Sequence, residues 1–289
     1  MGRFHVRGLL VAVAAAASLA LPAQGQERVA SLGGDVTEII YALGEGSRIV
    51  ATDSTSVFPP IALTTPKVGY VRQLSAEGVL SVDPDLILIS GAAGPETALE
   101  QIRATGVGMV EMETAYTIDA IIDKTRRVAE ALGVDAKGEE LVDQIETDWA
   151  EASAVIETLP DAPTVLFFST VSDGSPSAAG AETAAQGVID LIGGVNVFGD
   201  RTGYKPISLE AAVAADPDII MVMNFVAARM GGLDEVAAHP AIALTSAAQS
   251  GRIFSIDAVR VMQFSPRTPR AAGALAAEIR ETMTPVYDQ

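Results

Sequence analysis

Ala136-Lys137-Gly138-Glu139-Glu140-Leu141-Val142-Asp143-Gln144-Ile145-Glu146-Thr147-Asp148-Trp149-Ala150-Glu151-Ala152-Ser153-Ala154-Val155-Ile156-Glu157-Thr158 is the longest stretch of the chain that reads as one unbroken helix. It contains no Pro, and its only Gly, Gly138, lies at the start. Leu141, Val142, Ile145, Trp149, Ala152 and Ile156 recur at helical spacing and form one apolar face. Pro160 and Pro163 end it. At about 1.5 Å per residue such a helix exceeds roughly 30 Å. On either side of it, short β-branched runs alternate with helical patterns, the signature of an α/β fold.

Upstream, residues 28–31, 48–52, 85–90 and 107–112 read as strands. Asp85-Leu86-Ile87-Leu88-Ile89-Ser90 is continuously apolar at its centre, as expected for a strand buried on both faces. Asp35 is expected to cap a helix, with Glu38 in a capping-box position and Gly44 at its end. Two further helices, 95–105 and 117–132, stop at Gly106 and Gly133. Downstream, strands are expected near 164–169, 218–223 and 252–256, and a last helix over 269–283. The plan is α/β: two Rossmann-like lobes joined by a single long α-helix. The boundaries are 26–135 for the N-terminal lobe, 136–160 for the linking helix and 161–289 for the C-terminal lobe.

The lobes echo each other. Leu74-Ser75-Ala76-Glu77-Gly78-Val79-Leu80-Ser81-Val82-Asp83-Pro84-Asp85-Leu86-Ile87 aligns without gaps on Ile207-Ser208-Leu209-Glu210-Ala211-Ala212-Val213-Ala214-Ala215-Asp216-Pro217-Asp218-Ile219-Ile220. In each copy Ser caps a short helix, Asp-Pro-Asp turns the chain and an apolar strand follows. A Gly-Tyr pair precedes each copy: Gly69-Tyr70 and Gly203-Tyr204.

Residues 1–25 read as a cleaved secretory signal. Arg3 and Arg7 precede an uncharged apolar run over 9–21, and Ala23-Gln24-Gly25 suits cleavage. The run is shorter than the roughly 20 residues a membrane span needs. With no cysteine anywhere, disulfides, thiolate metal sites, a lipid anchor on cysteine and cysteine nucleophiles are excluded. The formal charge of −18 becomes −20 once the two signal arginines are removed. That balance argues against nucleic acid and anionic membrane surfaces as partners.

Two stretches carry a family likeness: Gly69-Tyr70-Val71-Arg72-Gln73-Leu74-Ser75-Ala76-Glu77-Gly78 and Gly203-Tyr204-Lys205-Pro206-Ile207-Ser208. Ala179-Gly180-Ala181-Glu182-Thr183-Ala184-Ala185 and Pro266-Arg267-Thr268-Pro269 add to it. Together they resemble the periplasmic haem-binding proteins of ABC importers, and the resemblance covers almost all of the mature chain. These belong to a wider class of two-lobed binding proteins with one rigid linking helix, shared with cobalamin and ferric-siderophore binders. Asp-Pro-Asp marks only that class, whereas Tyr-x-Arg before Leu-Ser-Ala-Glu-Gly points to haem. The resemblance implies a monomeric periplasmic protein, not an enzyme, that takes up haem b as its transported ligand. It would deliver the haem to an inner-membrane ABC permease, downstream of an outer-membrane haem receptor system.

Within that resemblance Tyr70 is the candidate axial ligand to the haem iron. Phenolate is a hard anionic oxygen donor suited to ferric iron. Its ordinary pKa near about 10 means the anion needs stabilising, and a cation within about 4–6 Å does this. Arg72 would share a face with Tyr70 if the segment is extended. Arg229, in Ala227-Ala228-Arg229-Met230-Gly231-Gly232 after a strand, is the second candidate partner, because ligands sit at strand carboxyl ends. Tyr204 is expected on the opposite wall, with Lys205 and Arg267 within reach of propionates. Each has a plainer reading. Tyr70 could be a packed aromatic with a bonded hydroxyl, and the cations could be solvated surface charges. Glu77 and Glu210, matched in the two lobes, are the candidate permease-docking charges; helix N-terminal stabilisation is their plainer role.

Histidine is scarce. His5 leaves with the signal, and His239 before Pro240 reads as a helix start with a structural role. Zinc or manganese capture, which calls for several His and carboxylate ligands, is disfavoured. Phe168-Ser169-Thr170-Val171-Ser172-Asp173-Gly174 carries no histidine for a second haem, so one haem is expected. Gly91-Ala92-Ala93-Gly94 lacks the spacing and lysine of a phosphate loop, and no nucleophile elbow or triad emerges. The rival readings are a ferric-siderophore or cobalamin binder of the same fold, and a periplasmic enzyme with Rossmann-like lobes.

Overall fold

The computed structural model describes residues 28–159, 162–171 and 176–283. The signal segment and Ser172-Asp173-Gly174 lie outside the described residues.

The N-terminal lobe runs β1 (Val29–Leu32), α1 (Gly34–Ala42), β2 (Ile49–Thr52), β3 (Gly69–Tyr70), β4 (Gln73–Leu74), α2 (Ala76–Leu80), β5 (Leu86–Ile89), α3 (Glu96–Arg103), β6 (Gly108–Glu111) and α4 (Ile118–Leu132). Its parallel sheet has the order β2-β1-β5-β6. The apolar run of β5 is explained by burial on both faces. Leu86 and Leu88 join Val36, Ile39 and Val128 on one side, while Ile87 and Ile89 join Val79, Leu99 and Ile102 on the other. Next comes α5 (Asp135–Ile156), 22 residues long.

The C-terminal lobe follows with β7 (Thr164–Thr170), β8 (Ser177–Ala179), α6 (Ala184–Leu191), β9 (Val195–Asn196), β10 (Tyr204–Pro206), α7 (Leu209–Ala215), β11 (Ile219–Met223), α8 (Asn224–Met230), α9 (Leu233–Ala238), α10 (Ser246–Gln249), β12 (Ile253–Ile256), α11 (Ala258–Val261) and α12 (Thr268–Met283). Its sheet has the order β10-β8-β7-β11-β12, with β9 also on β7. The sheet is mixed: β8 runs antiparallel to both β7 and β10.

The echo between the lobes is physical. Ser75 and Ser208 each cap a short helix, accepting the N–H of Gly78 at 2.9 Å and of Ala211 at 3.1 Å. Asp83 and Asp216 both turn through left-handed backbone, φ 47° and 34°. The second Asp of each triplet then anchors the first strand of its own lobe. Asp85 accepts the Arg28 N–H at 2.9 Å, and Asp218 accepts the Thr164 N–H at 2.8 Å.

The linking helix is not the lobes' sole bond. Ile118, Ile121 and Ile122 of α4 and Val142 and Ile145 of α5 share one apolar cluster with Phe167, Met221 and Leu275 of the C-terminal lobe. Ala152 of α5 packs so closely on Gly273 of α12 that a Cβ there would lie 3.0 Å away. Swinging the lobes apart would therefore open a core as well as bend a helix. Small-angle scattering should give the same radius of gyration with and without bound ligand, and a large change on loading would contradict this reading.

Two expectations are corrected. Asp35 does not cap α1; Gly33, at φ 130°, is the N-cap and no side chain bonds there. Asp35 and Glu38 instead lie buried in the first two turns and are taken up by ion pairs. His239 ends α9 rather than starting a helix. It is buried and its Nδ1 accepts the Ala241 N–H at 3.2 Å, a structural role as expected.

Candidate functional site

Between the lobes lies an open cleft. Its lining comes from the carboxyl ends of parallel strands, where open α/β sheets place ligands. Gly33 and Gly34 follow β1, Thr55 follows β2, Ser90 and Ala92 follow β5, and Glu113, Thr114, Ala115 and Tyr116 follow β6. The C-terminal lobe supplies Ala184 and Met262, Gln263 and Phe264.

Tyr70 and Arg72 both line this cleft. They reach it differently from expectation. β3 and β4 form a hairpin with register Gly69↔Leu74 and Tyr70↔Gln73, so Val71 and Arg72 are its turn. The pair is thus not two alternate residues of an extended strand. Gly69 sits at φ 116°, a conformation that side-chain-bearing residues rarely adopt. The hairpin is pinned from behind. Gly94 N–H donates to Val71 O at 2.9 Å, Leu74 N–H to Gly94 O at 2.8 Å, and Ser54 N–H to Gly69 O at 2.8 Å. Val71 is buried, leaving Tyr70 41% exposed toward the cleft. Arg72 is exposed and engages no carboxylate among the described residues, so its charge is available to a ligand.

Tyr204 belongs to the other lobe, at the start of β10. The 179–181 and 201–204 segments are zipped together by Gly180 N–H to Gly203 O and Gly203 N–H to Ala181 O, each 2.9 Å. That sets Tyr204, 40% exposed, beside Thr183 and Ala185 at the start of α6. Burial pushes its phenol above the ordinary value, against the pull of the Ala185 N–H, the Thr183 hydroxyl and the Arg72 charge. Tyr204 therefore stays protonated near neutrality and suits hydrogen-bond donation rather than anionic ligation. Unlike Tyr70 and Arg72, Tyr204 is not among the residues that line the cleft.

The remaining candidates are more scattered. Lys205, the neighbour of Tyr204 on β10, is exposed and points to the other face of its strand. Arg229 is exposed in the last turn of α8, which starts at the carboxyl end of β11, but it does not line the cleft. Arg267 is not available for propionates. It forms a bidentate pair with Glu38, at 2.7 and 2.6 Å, and stacks on the Phe58 ring 3.5 Å from its centroid. Glu77 and Glu210 are both exposed in the first turn of their helices. The Glu210 carboxyl is held below its usual range by its own N–H and the Ser208 hydroxyl, so it also serves its helix terminus.

Sequence reasoning missed the cleft floor. Tyr116 packs on Phe264 with ring centroids 5.1 Å apart. Lys124 Nζ pairs with Asp35 and donates to Phe264 O at 3.3 Å. Two signals were available. Tyr116 follows β6 just before the Thr117 cap of α4, at a strand's carboxyl end. Lys124 interrupts the buried face of α4 between Ile121 and Val128, where a charge needs a partner.

A family model described as periplasmic binding protein matches residues 29–259. Among solved structures, the chain is similar to the periplasmic haem-binding protein RhuT from Roseiflexus sp. RS-1 in apo form. Identity is 37% and the TM-score 0.83, covering 89% of this chain and 99% of RhuT. It is similar also to the periplasmic haem-binding protein BhuT in complex with two haems, with 34% identity, a TM-score of 0.84 and the same coverages, 89% and 99%. The vitamin B12-binding protein of Yersinia pestis (strain Pestoides F) is 27% identical over 280 residues, 93% of this chain and 92% of that one.

Proposed function

The chain belongs to the periplasmic binding protein family, and on that premise we propose that it captures haem in the periplasm and delivers it to an inner-membrane ABC permease. The observation that carries this reading is the pinned hairpin, which lines the interlobe cleft with a half-exposed phenol and an unneutralised guanidinium two residues apart. An anionic oxygen donor beside a cation suits ferric haem, for which tyrosine is one of the known axial ligands. A cobalt corrin with amide side chains has no such need of the arginine.

In this account Tyr70 holds the iron as phenolate. Arg72 stabilises the phenolate or meets a propionate, and Tyr204 donates a hydrogen bond from the opposite wall. Arg229 and Lys205, which like Tyr204 are not in the cleft lining, would act on propionates at the mouth. Glu77 and Glu210 face the permease.

One haem per chain is the expected load. His239, the one histidine of residues 28–289, is buried within the C-terminal lobe, so no imidazole is at hand for a second iron. BhuT, by contrast, holds two haems. Native mass spectrometry of the mature chain offered hemin and cyanocobalamin together tests both points. The expected spectrum has one hemin adduct and no cobalamin adduct. A saturating cobalamin adduct would reject the haem reading, and two specific hemins would reject the single site.

A further inference from the structure

The C-terminal lobe sends one segment, residues 262–268, into the N-terminal lobe, and three different N-terminal elements hold it. Glu38 of α1 accepts Ser265 Oγ at 2.8 Å and both Arg267 contacts, so every partner of this buried carboxylate comes from the other lobe. Phe58, in the loop after β2, covers the free face of the Arg267 guanidinium. Lys124 of α4, itself paired with Asp35, donates to Phe264 O. Thr55, in the same loop as Phe58, accepts Gln263 Nε2 at 3.0 Å.

The same segment is a wall of the ligand site. Met262, Gln263 and Phe264 line the cleft, and Phe264 is held at φ 52°, a left-handed backbone unusual for an aromatic residue. With the lobes in contact Glu38 is buried, so removing Arg267 alone would leave an uncompensated buried charge, which is strongly unfavourable. The end of the Gln263 side chain also lies against Gly34, so the segment abuts the start of α1 directly.

We infer that Glu38 and Arg267 are positioning residues for the ligand cleft: by fastening the 262–268 segment to the N-terminal lobe, they fix the spacing of the two walls before any ligand arrives. The inference rests on the reading of this cleft as the haem site only for its second readout; the first concerns the empty protein.

The chain has no cysteine, so labels can be added without background. Glu100 of α3 and Asp234 of α9 are exposed on opposite lobes. In the full mature chain carrying Glu100→Cys and Asp234→Cys spin labels, pulsed dipolar spectroscopy should give one narrow distance distribution, empty or hemin-loaded. Glu38→Gln and, separately, Arg267→Lys should each broaden it in the empty protein. Lysine keeps the charge but loses the bidentate fork and the stacking, so it provides a second, milder variant should the first fold poorly. Both should also speed hemin dissociation by about tenfold or more, since such losses fall mainly on the off-rate. A lowered melting temperature with an unchanged distance distribution and off-rate would overturn the inference and leave a merely structural ion pair. If hemin failed to bind the unsubstituted chain, the haem reading would fall, while the distance distributions would still decide the positioning role.

Discussion

Tyr70→Phe is expected to abolish the tyrosinate-to-iron charge-transfer band of bound ferric haem and to weaken hemin binding by about a hundredfold, close to 3 kcal/mol. The substitution removes one oxygen and nothing else. The hairpin is set by the left-handed Gly69 and by backbone bonds to Gly94 and Ser54, none of which involves the phenol. A loss of affinity would thus report on the iron contact and not on a collapsed loop, and circular dichroism and melting temperature should be unchanged. Arg72→Ala should act in the same direction but more weakly, because it removes the stabilising charge and leaves the donor. Tyr204→Phe should leave the charge-transfer band in place, since burial favours its neutral phenol. A Tyr70→Phe protein with the original band and affinity would show that the iron is held elsewhere.

The double variant Glu77→Ala with Glu210→Ala should abolish haem transfer to the cognate importer in proteoliposomes while leaving hemin affinity nearly intact. The two glutamates stand at matching positions of the two lobe repeats, both exposed and each two residues after a capping serine. A two-lobed importer can meet them with a pair of cationic sites. Exposed charges of this kind act mainly on association and are screened by salt. Their other role, at helix N-termini, is worth about 0.3–1 kcal/mol each. For Glu210 that role fits a carboxyl held below its usual range by its own N–H and the Ser208 hydroxyl. The stability loss should therefore be small and the transport loss complete. Undiminished transport at physiological salt would assign both residues to helix ends alone.

Much of the architecture was legible because local chemistry and global position coincide. The strand β5 announced its double burial by its unbroken apolar run, and the repeat around Ser75 and Ser208 carried its caps and turns intact. What stayed hidden depended on partners far away in the chain. Asp35 and Glu38 have the spacing of a capping box, yet their partners Lys124 and Arg267 lie 89 and 229 residues on. No local pattern could have told a cap from a long-range ion pair. Arg267 was misread for the same reason: a cation near a cleft looks free until the buried carboxylate that consumes it is seen. The small strands β8, β9 and β10 escaped because two- and three-residue strands carry no periodicity. Tyr70 and Arg72, which line the cleft, are singled out by a family likeness; spacing alone suggests a shared strand face, where the chain makes a turn.

The central claim is that this cleft takes ferric haem through a tyrosine, and a visible-absorption titration of the purified mature chain with hemin tests it most directly. The expected result is a saturable shifted Soret band with an endpoint at one equivalent, accompanied by a tyrosinate charge-transfer band and unaffected by excess cyanocobalamin. A spectrum indistinguishable from that of free hemin, or a Soret signal that cyanocobalamin displaces, would contradict it.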